Sequence, residues 1–427
     1  MRRRQAGWRR ARGPVAMGAV LALALTACGG GGFSDDGSSE SGQGGTVRML
    51  VNITPNLTQE YWEELVKPFE EAHDGVDVKI EAPSGKGVAD TLQQQLAAGD
   101  APDIVETLMV DETLAPKMLE LTDQPWVKDT PLVEEAALGG KVYTVGVGEQ
   151  AQSLVFYNKA AFAKAGIAQP PKTLDELTDA MGKLKEAGYL PLQTSGEFVT
   201  GLQLLQLSDP SLAQTHPTWY QDIDKGARTV GGSMLPYLER YKTWLDRGYL
   251  DKNALGLKYA DGETNFLGGK SAMYVMGSWF TASAADAGKD SEIGVFPAPV
   301  DRGQQHPGPQ GATMAAPYMI LKDTGEKDLA LELVEWLVTD EKAVTGQLEQ
   351  DGNFRRGFDR TFTPLEQQVQ QILDAAPSGV AQGEGYGENT LPRGFNTAWN
   401  TEVQGLYVGH SPKQVADAVD RWVRDHS

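Results

Sequence analysis

Any chemistry in this chain has to come from residue types that are present at workable spacings. The five histidines, His73, His216, His306, His410 and His426, are scattered. None stands at i, i+4 from another around a glutamate, so the spacing of a zincin-type metal site is missing and no metal is expected. There is no G-x-x-x-x-G-K-[ST] phosphate loop and no G-x-S-x-G nucleophile elbow, which argues against nucleotide hydrolysis and α/β-hydrolase chemistry. Gly146-Val147-Gly148 and Gly383 to Gly387 bring glycines together without the strand, helix and downstream acid of a dinucleotide site, and no cofactor is expected. With 58 acidic residues, a pair of carboxylates at glycosidase separation stays open from sequence alone.

The single cysteine, Cys28, has the most informative setting. Arg2, Arg3, Arg4, Arg9, Arg10 and Arg12 form a basic segment, and Val15 to Leu25 an apolar run too short for an ordinary bilayer-spanning helix. Leu25-Thr26-Ala27-Cys28-Gly29 resembles a lipoprotein signal, with residues 1–27 removed and Cys28 becoming the acylated N-terminus; two acyl chains suffice for firm anchoring. Residues 28–45, rich in Gly and Ser, read as a flexible tether. Losing six arginines takes the formal charge from -20 to -26, which argues against nucleic acid as a partner. One cysteine allows no internal disulfide, so stability must come from packing, for which 40% hydrophobic residues and nine Trp are adequate.

The rest of the chain is long enough for two globular lobes. Val47, Met49 and Val51 alternate as in a strand, and Trp62, Leu65, Val66 and Phe69 recur at helical spacing. Pro68 should kink or shorten that helix. Val76, Val78 and Ile80 suggest a second strand, Val88, Leu92 and Leu96 a helix ending near Gly99, and Asp103-Ile104-Val105 a short buried strand. This β-α-β-α-β order favours a mainly parallel sheet covered by helices. Strands are also expected at Lys141 to Val145 and Leu154 to Tyr157, separated by a polar loop, Gly146 to Ser153. Thr173 and Glu176 have capping-box spacing for a helix running toward Gly188. Leu329, Leu333, Trp336 and Leu337 mark another helix, and Ser411-Pro412 opens a last one carrying Val415, Val419, Trp422 and Val423. Gly383 to Gly387 reads as a mobile loop.

Several segments, in order, resemble the bacterial extracellular solute-binding proteins of family 1, the maltodextrin-binding-like receptors that feed sugars to ABC importers. They are Ala97-Ala98-Gly99-Asp100-Ala101-Pro102-Asp103-Ile104, Tyr157-Asn158-Lys159 with Phe162, Ala165 and Gly166, Pro170 to Leu177, and Phe266 to Trp279. Leu329 to Leu337, and Trp399 followed by Ser411-Pro412, complete the match. The resemblance implies an α/β, two-lobed periplasmic-binding-protein-like fold with hinge strands and a ligand cleft between the lobes. It places residues 46–148 and 306–356 in lobe 1 and residues 149–305 and 357–427 in lobe 2. Closure of such a hinge around a solute creates a shape difference that a membrane partner can read.

The implied function is a lipid-anchored receptor, on the extracytoplasmic face of the cell membrane, that captures a sugar or oligosaccharide and delivers it to ABC permease subunits. A monomer without catalytic residues is expected. A pyranose needs aromatic rings for its C–H face and amides or carboxylates for its hydroxyl rim. By resemblance, Trp279, after Gly277, and Trp399 are the stacking candidates. Glu149, Gln150 and Gln152 lie near a stretch that supplies a carboxylate in the relatives, although Ala151 stands at about that carboxylate's place. Glu197 and Phe198 follow the turn Thr194-Ser195-Gly196, where relatives offer an acid and an aromatic. Asn52, Thr54 and Asp111 are the lobe 1 candidates at strand ends, with a capping role favoured for Asp111. Tyr386 and Glu388 could close over the ligand. Trp62, Trp126, Trp219, Trp244, Trp336 and Trp422 are assigned to packing. A surface glycoside hydrolase and a binding protein for a non-carbohydrate solute are the alternatives.

Overall fold

The alternation at Val47 and Met49 becomes β1 (Thr46–Leu50), which pairs in parallel with β2 (Asp77–Glu81) and with β3 (Ile104–Glu106). The computed structural model describes residues 44–426 apart from 85–86, 306–311, 359, 376–384, 387–388 and 393. Helix Gln59–Ala72 joins the first two strands; its Thr58 cap accepts from the Tyr61 N–H, and it buries Trp62, Val66 and Phe69. The helix is not shortened at Pro68 and continues to Ala72. Pro68 and Glu64 are both exposed, so the carbonyl that proline leaves without an N–H partner can turn to water. Helix Val88–Ala98 makes the next crossover and ends at Gly99, whose φ of +70° suits glycine.

The chain then runs through β4 (Gly148–Ala151), builds β5 (Leu154–Asn158), β6 (Leu190–Gln193), β7 (Ser271–Met276) and β8 (Ile293–Pro297), and returns through β9 (Ala312–Ala315) to β10 (Tyr318–Ile320). β10 closes the first sheet antiparallel to β3, giving the order β10-β3-β1-β2. The second sheet runs β6-β7-β5-β8, with β5 antiparallel to both neighbours and β7 buried along its whole length. Helix Leu174–Glu186 begins with the expected capping box at Thr173 and Glu176. Helices Lys327–Thr339 and Pro412–His426 also stand where their periodicity placed them.

Two readings are corrected between Lys141 and Ser153. Lys141 to Val145 is not a strand; Val145 makes only an isolated bridge to Tyr318. The segment read as a polar loop contains β4, paired antiparallel with β9 from Gly148↔Ala315 to Ala151↔Ala312 and bridged at Glu149 to Phe354. Its sequence Gly-Glu-Gln-Ala is polar because the strand connects two lobes beside a cleft, so it lacks the apolar face by which strands are read.

Each lobe has its own core. One gathers Trp62 and Trp126 with Trp336 packed against them, the other Trp219 and Trp244 with Trp422 alongside, in keeping with their assignment to packing. Among the described residues no helix is long and apolar enough to cross a membrane.

Candidate functional site

A cavity of about 400 Å³ opens where the C-terminal ends of β1 and β3 face the crossing strands and the second sheet, a size suited to a small-molecule ligand. Asn52, Thr54, Asn56, Tyr61, Glu106 and Thr107 line it from the first lobe. Gln150, Gln152 and Thr313 contribute from β4, the turn after it and β9. Phe198, Gln206, Asp209, Tyr259 and Trp279 line the far side, and Asp351 and Asn353 close the base.

The polar groups form a continuous network. Gln206 Nε2 donates to Gln152 Oε1 at 2.7 Å, and Gln152 Nε2 to Thr313 Oγ1 at 2.9 Å. Thr313 Oγ1 donates to Gln150 Oε1 at 3.3 Å, and Gln150 Nε2 to Asp351 Oδ2 at 2.9 Å. Asp351 also accepts from Asn353 Nδ2 and from Asn56 Nδ2, each at 3.2 Å. Asn56 carries the chain across the cleft: its Nδ2 donates to the Trp279 carbonyl at 3.1 Å, and its Oδ1 accepts from Ser283 Oγ at 2.9 Å. Such a network fixes side-chain orientation before a ligand arrives.

Two carboxylates are perturbed. Burial pushes the Glu106 carboxyl up to about 8, with nearby Asp351 adding to the rise, against the N–H of Asn52 and the hydroxyl of Thr107. The Asn52 N–H reaches Glu106 Oε2 at 2.9 Å. Burial likewise raises Asp351 to about 6, opposed by its three amide donors. Burial also holds the Tyr61 phenol far above its usual range, with Asp351 and Glu106 adding to the effect. The Tyr61 hydroxyl, Ser153 Oγ, Gln206 Oε1 and Asn353 Oδ1 are buried without a protein hydrogen-bond partner. Each costs about 1–3 kcal/mol unless something else satisfies it. Thr107 at φ +83°, Ser153 at +58° and Ala316 at +43° hold left-handed backbone around the cavity, and strain of this kind gathers at ligand sites.

Of the sequence candidates, Trp279, Gln150, Gln152, Phe198, Asn52 and Thr54 come together at the cavity. The Trp279 indole lies over Gly277, and Phe198, 46% exposed, packs at 5.2 Å from Tyr259 at the rim. Trp399 does not join them. It is 1% exposed inside the second core, stacks on Phe395 and donates its Nε1–H to the Gly201 carbonyl at 2.9 Å. Strand alternation turns Glu149 away from the face that Gln150 presents, and its carboxylate sits 3.6 Å from Arg356. Glu197, at φ +54°, accepts the Tyr259 N–H with its carboxylate at 2.6 Å and amides of Asn400 and Gln404 with its carbonyl, a role in holding the loop. Asp111 accepts the Thr113 and Leu114 N–H groups as a turn cap. Cys28 and Glu388 lie outside the described residues; Tyr386 is in a short strand, Gly385–Tyr386, and its side chain is outside the described part.

Sequence reasoning missed Asn56, Tyr61, Glu106, Gln206, Tyr259 and Asp351. Glu106 carried a usable signal, an acid ending the buried run Ile104-Val105. Asp351 and Asn353 flank Gly352 just after a helix, and nothing local in the sequence marks them as cavity-lining residues.

Residues 54–344 match the family model described as bacterial extracellular solute-binding protein. A binding protein of Brucella abortus is 25% identical over 291 residues, 64% of this chain and 66% of the relative, so the chain spans just under two thirds of that protein's length. The diacetylchitobiose binding protein DasA of Streptomyces coelicolor is 25% identical over 393 residues, 87% of this chain and 86% of the relative. Among solved structures, a chitin oligosaccharide binding protein superposes with a TM-score of 0.77 at 22% identity, covering 90% of this chain and 99% of the other. The two-lobed α/β fold is shared.

Proposed function

The chain belongs to the bacterial extracellular solute-binding protein family, a family of binding proteins and not enzymes, and from that premise we propose that it captures a sugar or short oligosaccharide for an ABC importer. The carrying observation is the cavity itself. An indole, Trp279, stands beside amides and carboxylates contributed by both lobes and by the crossing strands. A ring face with a polar rim is what a pyranose requires. The saccharides named for the Streptomyces relative and the chitin oligosaccharide structure support a carbohydrate ligand.

Within this reading residues 46–148 with 306–356 form one lobe and residues 149–305 with 357–427 the other. The pairing of β4 with β9 supports a crossing at those points, and Leu365, Val369 and Leu373 packing with Ile293 and Val295 supports return of the C-terminal stretch to lobe 2. Acylation at Cys28 tethers the receptor at the extracytoplasmic face and raises its effective concentration at the permease. It works as a monomer.

A thermal-shift screen against mono- to tetrasaccharides tests the reading, because a ligand that binds only the folded state raises Tm in step with its concentration over Kd. At least one carbohydrate should give a dose-dependent shift and be recovered unaltered. No shift with any saccharide would reject the carbohydrate assignment. Replacing Cys28 by serine should move the protein from the membrane fraction to the medium, and retention at the membrane would remove the anchor from the account.

A further inference from the structure

The charge around the cavity is one-sided. Glu106, Asp209 and Asp351 line it, and no lysine, arginine or histidine does among the described residues. Asp351 is held by three uncharged amides, those of Asn56, Gln150 and Asn353. Glu106, 2% exposed, accepts a backbone N–H from Asn52. Neither forms an ion pair with any described cation. Buried carboxylates without a counter-charge are costly to ionise, which is why both titrate high here.

The unused hydrogen-bonding capacity points the same way. Gln206 Oε1 and Asn353 Oδ1 are acceptors without partners on residues 3% and 1% exposed. The unpartnered Tyr61 hydroxyl lies within electrostatic range of both Glu106 and Asp351. A neutral sugar hydroxyl donates once and also brings lone pairs that would face these oxygens. An ammonium group donates three hydrogens and accepts none. It would also supply the positive charge that the site lacks. A metal ion is a poorer fit, since among the described residues no three acidic, histidine or cysteine side chains converge to hold one.

We propose that the solute is an amine-bearing saccharide whose ammonium group is received by Glu106, Asp351 and the Tyr61 hydroxyl. This rests on the saccharide reading above and narrows it. On binding, the cation favours the ionised carboxylates, so protons leave the site as the guest enters.

Calorimetric titration of the intact mature protein, slightly below neutral pH, tests the proposal with chitobiose, its N,N'-diacetyl form and cellobiose. These share the β-1,4 backbone and differ at C2, where they carry ammonium, acetamide or hydroxyl. Glucose- and galactose-based disaccharides, each paired with its 2-amino-2-deoxy counterpart, extend the panel to other linkages. The amine member of a pair should bind at least about ten-fold tighter, with an enthalpy that varies with buffer ionisation heat as protons are released. In Glu106→Gln and Asp351→Asn the preference should shrink toward parity. A neutral member binding as tightly as its amine partner, or the absence of proton release, overturns the amine assignment while leaving the saccharide reading intact. Failure of every saccharide to bind rejects both. Should a variant fail to fold, the wild-type affinity ratio and proton count decide alone.

Discussion

The indole of Trp279 lies so close to Gly277 that a Cβ built there would stand 2.0 Å from its Cζ3 and 2.4 Å from its Cη2. No side chain fits between them. Bare backbone after β7 lets the ring fold back onto the chain while it still lines the cavity. Trp279→Ala should therefore lower saccharide affinity about ten-fold or more by removing the stacking face. Gly277→Ala should do the same with the indole present, because the added methyl displaces it. Titration calorimetry on both variants checks this, and wild-type affinity in Trp279→Ala would assign the indole to packing.

Asn56 braces the lobes. Its side chain ties the loop after β1 to the Trp279 carbonyl and to Ser283 in the helix Phe280–Asp286, while also donating to Asp351. Asn56→Ala removes all three bonds and leaves Asp351 with two amide donors. The expected result is a stability loss of about 1–3 kcal/mol and a more open unliganded molecule. Denaturant titration measures the first and the radius of gyration from solution scattering the second. A variant as compact as the parent would show that other contacts set the lobe spacing.

The buried carboxyls give stability a pH dependence of definite sign. Glu106 is raised from 4.5 to about 8 and Asp351 from 3.8 to about 6, so the folded state holds more protons than the unfolded chain between those values. Their effect is a penalty that is absent below the unfolded-state values and grows as pH rises toward the folded-state ones. Across the Glu106 window the cost is on the order of a few kcal/mol. Tm of the unliganded protein should fall from pH 5 to pH 8, and Glu106→Gln should flatten most of that slope above the Asp351 range. A slope unchanged in the variant would mean that Glu106 ionises freely in the fold.

The first sheet was legible because Val47, Met49, Val78 and Ile80 obey simple alternation and Gly99 marks a helix end. The cleft was less so, for a physical reason. β4 turns polar side chains such as Gln150 into the cavity and so lacks the apolar pattern that announces a strand. Asn56 and Asp351 meet across 295 positions of sequence, and nothing local to either forecasts that contact. The family resemblance supplied Trp279, yet it also suggested Trp399 where plain periodicity spoke against it. Phe395, Trp399 and Val403 recur every fourth residue on the helix Phe395–Gln404, and all three are buried. That is the spacing of a core face.

The burial of Trp399 leads to the opposite expectation from that of Trp279. Its ring stacks at 6.1 Å and 18° on Phe395, and its N–H is used by the Gly201 carbonyl, so it ties the helix Phe395–Gln404 to the helix Val199–Thr215. Truncation opens a large hole where neighbours cannot fully collapse. Trp399→Ala should cost about 3–5 kcal/mol of stability, whereas affinity measured well below the lowered Tm should stay within about two-fold of the parent. Paired denaturation and calorimetry separate these effects. A large affinity loss at intact stability would place Trp399 in contact with the solute and overturn its assignment to the core.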